Sequence, residues 1–122
     1  MLRYSLMLIA LGACVGVDRN IEDQITIEQG VYGLLIAGCD TSGCQDQPAA
    51  GELVAVFAAG SDGAFSKVKA DGDGVYQIDL PGGDYTLCTY SCVDVTVPAH
   101  SKIRYDWTSG PGGGRWFSAS AH

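Results

Sequence analysis

The stretch ADGDGVYQIDLPGGDYTL, residues 70–87, decides how the chain folds. From Val75 to Leu80 its side chains alternate strictly. Tyr76, Ile78 and Leu80 point one way, and Val75, Gln77 and Asp79 the other. A period of two describes a strand with one face buried and one face wet. Asp71-Gly72-Asp73-Gly74 stands before it and Pro81-Gly82-Gly83 after it, and both clusters reverse a chain at low cost. A second strand follows from Asp84, with Tyr85 and Leu87 on its inner face. Two strands cannot bury such a face alone, so the remaining sequence has to supply an opposing sheet.

It does so on both sides of this hairpin. Residues 31–37 are apolar on both parities, as in a strand covered on both faces, with Gly33 permitting a close neighbour. Residues 53–59 are a further apolar run, and residues 65–70 alternate weakly, with Lys67 and Lys69 outward. Downstream, Val93, Val95 and Val97 alternate with Asp94 and Thr96, and Ile103, Tyr105 and Trp107 form a last inner face. Seven short strands with turns at close intervals and no helical period predict an all-β sandwich over residues 30–107. Residues 108–122 are Gly-rich and are expected as a flexible tail, with Trp116 and Phe117 folding back on a sheet edge.

Bulk composition narrows the function classes. The formal charge of −7 disfavours a polyanionic ligand, and Lys67, Lys69, Lys102, Arg104 and Arg115 form no basic run, so no nucleic acid is expected as a partner. At 17% charged residues the chain is too apolar for disorder, and its 17 glycines suit a turn-rich β domain.

The first residues carry an address. Met1-Leu2-Arg3 is a basic start and residues 4–11 are an apolar run too short to span a bilayer, which takes about 20 residues. The run ends in Leu11-Gly12-Ala13-Cys14, which resembles the lipobox of bacterial lipoproteins. The resemblance implies a signal peptide over residues 1–13, removed before Cys14, and acylation of the Cys14 sulfur. Several acyl chains would then hold the protein on a membrane of the cell envelope, each buried CH₂ contributing about 0.8 kcal/mol. Residues 14–29, with Asp18, Glu22, Asp23 and Glu28, read as an acidic tether. Ile25 and Ile27 alternate with Thr26 and Glu28, a pattern also open to a first strand.

Residues 30–107 resemble the carboxypeptidase regulatory-like domain, a transthyretin-like (prealbumin-like) seven-stranded sandwich. The likeness lies in Gly30-Val31-Tyr32-Gly33, Pro48, Gly51 with Val54, Asp71 to Tyr76, and Leu80-Pro81-Gly82-Gly83-Asp84-Tyr85-Thr86-Leu87. These residues shape turns and core, and the resemblance implies a non-enzymatic binding or structural module without catalytic residues or cofactor. The four cysteines Cys39, Cys44, Cys88 and Cys92 are additional to that pattern.

With Cys14 assigned to lipid, four cysteines in an exported domain read as two disulfides. Cys88 and Cys92 share the outer parity across the three-residue loop Thr89-Tyr90-Ser91, which favours the local pairs Cys88–Cys92 and Cys39–Cys44. Crossed pairing between the two loops is the alternative. The spacings miss those of a zinc site, and no metal is expected. Asp71 to Gly74 lacks the further acids of an EF-hand and reads as a turn, and the run Gly110 to Arg115 lacks the features of a phosphate loop. His100, His122, Ser42 and Ser91 have no motif partners for acid–base or nucleophilic work. The expected partner is an envelope protein or glycan, met by Tyr90, Trp116, Phe117 or a sheet edge. The competing expectation is a protease inhibitor or small-ligand carrier that uses the Cys39–Cys44 loop, with Thr41 and Ser42 at its tip.

Overall fold

A computed structural model describes residues 17–39, 43–60, 63, 65–110 and 113–119. Nine strands occur among them: β1 (Gly30–Ala37), β2 (Gln47–Pro48), β3 (Leu53–Ala58), β4 (Ser66–Lys69), β5 (Val75–Asp79), β6 (Gly83–Cys88), β7 (Cys92–Val97), β8 (Lys102–Gly110) and β9 (Gly113–Ser118). A single turn of 3₁₀-helix, Glu22–Gln24, precedes β1. No helix among the described residues is long and apolar enough to cross a membrane. All seven expected strands are present. The two additional ones are β2, in the loop expected between the first pair, and β9, in the segment expected as a tail.

One sheet runs β9-β8-β1-β2, with β5 also paired to β1; the other runs β4-β3-β6-β7. Every pair is antiparallel except β1 with β8, which are parallel from Gly30↔Lys102 to Ile36↔Thr108. Between the sheets lie Val31, Leu35, Tyr76, Ile78, Leu80 and Trp107 from one side and Val54, Val56, Tyr85, Leu87, Val95 and Val97 from the other. The inner faces are those the alternation predicts. Gly33 is required on β1, because a Cβ there would overlap the carbonyl of Tyr105 on β8.

β1 is buried on its second face as well. Tyr32, Leu34 and Ile36, with Val75 of β5, form another apolar cluster covered by Ile21 and by Val17, Ile25 and Ile27. The segment expected as an acidic tether therefore lies, from Val17 onward, across the outer face of the first sheet. Its acids are not the deciding residues; its isoleucines are, since covering aliphatic surface is favourable at about 25 cal/mol per Å². Ile25 and Ile27 do not extend the sheet. Gln77 of β5 takes the strand partner's place, its Oε1 accepting from Thr26 N at 2.8 Å and Ile27 N at 3.1 Å.

Candidate functional site

Cys39 and Cys44, the hairpin 88–92 and the last residues of β8 all lie at one end of the sandwich. Gly38 N donates to Ser109 Oγ at 3.0 Å, and the Trp107 indole donates to Ser91 Oγ at 3.1 Å. Ser91 ties that end together. Its hydroxyl donates to Gly114 O, and its carbonyl accepts from the Trp116 indole at 2.7 Å. Tyr90 stands above, 72% exposed, with its ring 5.5 Å from Trp107 and its hydroxyl donating to Glu52. The hydrogen bond to Glu52 holds the Tyr90 hydroxyl above its ordinary pKa.

The cysteines are placed compatibly with two local bridges. Cα atoms are 6.0 Å apart for Cys39 and Cys44, and 4.1 Å for Cys88 and Cys92, which face each other where β6 turns into β7. Asp46 braces the first loop, accepting from Cys39 N at 2.9 Å. Thr41 and Ser42, expected at its tip, lie outside the described residues, as do Cys14 and His122. Asp71 caps its turn by accepting from the backbone of Asp73 and Val75. His100 adopts φ +62° in the turn before β8, and its N–H donates to Gln29 Oε1. Trp116 packs on the core, edge-on to Tyr76, so of the three aromatic residues expected at the surface only Tyr90 and Phe117 are exposed.

Beneath the N-terminal segment lies a charged cluster that alternation alone does not reveal. Arg104 and Asp106 are adjacent outward positions of β8, 8% and 3% exposed. The guanidinium reaches both Asp106 oxygens, Glu22 Oε2 at 3.0 Å and the carbonyl of Arg19 at 2.9 Å. Burial works against the Arg104 charge, but the hydrogen bonds and charges of Asp106 and Glu22 outweigh it and raise its pKa. Asp106 also accepts from Leu34 N at 2.9 Å, where the β1–β8 ladder skips two pairs between Tyr32↔Arg104 and Leu35↔Trp107. Tyr32 donates to Glu22 at 2.8 Å. Its pKa is pushed up to about 12 by burial, then by that hydrogen bond and the Glu22 charge. Arg104 and Tyr32 thus bond acceptors of the same cluster, Glu22 and the Arg19 carbonyl among them, which makes it a clasp for the segment 17–29.

On the second sheet, near the end away from the cysteines, a groove of about 430 Å³ is lined by Ala59, Gly60, Asp84, Thr86, Asp94 and Thr96, with Tyr85 and Val95 between. Its polar groups are cross-strand pairs: Thr86 donates to Asp94 at 2.9 Å and Thr96 to Asp84 at 2.8 Å. Each carboxylate thus holds one hydroxyl and retains further acceptor capacity. Phe65, 53% exposed, packs against Tyr85 with ring centroids 5.8 Å apart. No three His, Cys, Asp or Glu side chains among the described residues converge as metal ligands.

The strand order and the parallel β1–β8 pair define a transthyretin-like β-sandwich. No protein-family model matches the chain, and no curated protein matches it in sequence. Among solved structures it is similar to the 5-hydroxyisourate hydrolase of Klebsiella pneumoniae, with a TM-score of 0.57 and 15% identity over 79% of this chain and 97% of that one. At that identity the likeness shows the fold alone. It also corrects one expectation. A non-enzymatic role had followed from the fold resemblance, and a fold shared with a hydrolase gives no ground for it.

Proposed function

We propose that the protein is a cell-envelope lipoprotein, anchored through acylated Cys14, whose sandwich binds a partner by the groove on its second sheet. Hydroxyl-rich envelope glycan is the class of partner that this groove suits. The observation that carries the reading is the paired Thr86–Asp94 and Thr96–Asp84 surface, which offers fixed carboxylate acceptors for sugar hydroxyls. The groove's size falls within the range of small-ligand sites. Support for the anchor comes from Leu11-Gly12-Ala13-Cys14, and support for an oxidising compartment from two cysteine pairs placed for local bridges.

The test is retention of the purified protein on immobilised envelope glycan. The double variant Asp84→Asn, Asp94→Asn keeps the shape of the groove and removes both charged acceptors. It is expected to lose at least tenfold in affinity at unchanged melting temperature. Equal retention of the variant and the parent would overturn the assignment of this groove.

A further inference from the structure

The path of residues 17–29 has a consequence for how the sandwich meets a membrane. Arg19 pairs with Asp46 beside the cysteine-closed loop, at 3.4 Å. Glu22 then reaches Tyr32, Thr26 and Ile27 reach Gln77, and Gln29 donates to Leu80 O at the far end of the sheet. The segment therefore starts at the cysteine end and runs down the whole outer face of β1 before turning back into it. Val17 is already packed in the outer cluster. Cys14 precedes Val17 by three residues, and an extended chain covers at most about 3.5 Å per residue, so the two Cα atoms lie within about 10 Å. An apparent tether of sixteen residues is thus reduced to three.

We infer that the cysteine end of the sandwich rests on the lipid surface, with Tyr90 and Leu53 at the contact, and that the groove, near the other end of the second sheet, is held away from it. This rests on the acylation of Cys14 proposed above. Tyr90 is the most exposed of the large apolar side chains at this end, and Leu53, 43% exposed, opens the strand that follows its partner Glu52. An aromatic ring with a polar tip beside an aliphatic side chain suits the headgroup boundary. Attraction of opposite charges has no part in this, because the chain carries −7. Shortness of the free connection imposes the orientation.

Both tryptophans of the chain, Trp107 and Trp116, are bonded to Ser91 at this same end, which gives a direct readout. The full-length protein, extracted from membranes, is reconstituted into phosphatidylcholine vesicles containing dansyl-labelled phosphatidylethanolamine, and energy transfer from tryptophan to dansyl is measured. A second protein carries a twelve-residue Gly-Ser insertion between Gly16 and Val17, outside the packed segment, which adds a mean reach of roughly 19 Å. The insertion is expected to lower the transfer efficiency at least twofold. Equal efficiency in the two acylated proteins would overturn the orientation and leave the anchor standing. Intact mass without acyl chains in the extracted protein would overturn the anchor and the orientation together.

Discussion

Arg104 and Asp106, separated by one residue on β8, face each other under a cover of chain whose Glu22 and Arg19 precede Arg104 by 82 and 85 residues. The guanidinium donates to Asp106 Oδ1 at 3.1 Å and Oδ2 at 3.2 Å, and also to Glu22 and to the backbone carbonyl of Arg19. A buried pair of this kind contributes little net stability compared with apolar residues of the same shape. Its removal by halves is another matter, because the surviving charge is left in a dry site.

The first prediction follows from that asymmetry. Arg104→Ala is expected to destabilise the fold by about 3–5 kcal/mol, since it leaves Asp106 buried, and Glu22 half-buried, without their cation. Urea unfolding followed by tryptophan fluorescence measures the loss. The same variant should be cut faster by trypsin at Arg19, because the segment 17–29 loses its clasp. By contrast, Asp46→Asn breaks only an exposed ion pair with Arg19 and should cost less than about 1 kcal/mol.

Alkaline pH gives the second prediction. The Tyr32 hydroxyl is raised in the folded state to about 12 from an ordinary value of 10.0, so folding favours its protonated form. Its contribution is complete below pH 10 and declines as pH climbs toward 12, by about 2 kcal/mol at pH 12. Tyr76, raised well above its ordinary value by burial and by the Asp106 charge, adds to the same decline. Urea midpoints measured from pH 8 to 12 should fall less steeply for Tyr32→Phe than for the parent protein.

Backbone contact sets the third. Gly33→Ala places a methyl group against the Tyr105 carbonyl across the parallel pair, where neither strand can withdraw without breaking the ladder. A melting temperature lower by 10 °C or more is expected, roughly 2 kcal/mol or above for a domain of this size. Gly72→Ala, in a turn with nothing within reach, should be nearly neutral and serves as the control.

Local bridges give the fourth. Loops closed over sequence separations of 5 and 4 remove little denatured-state freedom, so each bridge should contribute about 2 kcal/mol and no more. Alkylation without reductant, digestion and mass analysis should recover Cys39 linked to Cys44 and Cys88 linked to Cys92. A peptide joining Cys39 to Cys92 would contradict the local arrangement.

Much of the sandwich is legible along the chain, because a strand half buried in a core writes a period of two that needs no partner to be seen. Tyr76, Ile78 and Leu80 show it, and so do Val93, Val95 and Val97. The same logic misreads β8. Arg104 and Asp106 alternate with Ile103, Tyr105 and Trp107 as if they faced water, yet both are buried, and Val75 shares that fate on β5. Covering them takes Ile21, Ile25 and Ile27 together with Glu22 and the Arg19 backbone, in an acidic segment where only Ile25 and Ile27 keep the spacing of a strand and yet form none. β9 is hidden for a related reason. Its glycines read as flexibility, but Gly114 has to be small because the Trp107 ring occupies the space a side chain would fill.

The amino-acid sequence by itself determined that this is an all-β protein, which residues face its core, and where its chain reverses, since those properties depend on neighbours a few positions away. Tertiary structure alone decided that β1 and β8 run parallel, that the N-terminal segment is a covering layer, and that Asp84, Thr86, Asp94 and Thr96 share one groove. Contacts between residues 72 or 85 positions apart, such as Leu34 with Asp106 and Arg19 with Arg104, are chosen by the packing of the finished sandwich, and no local pattern encodes them.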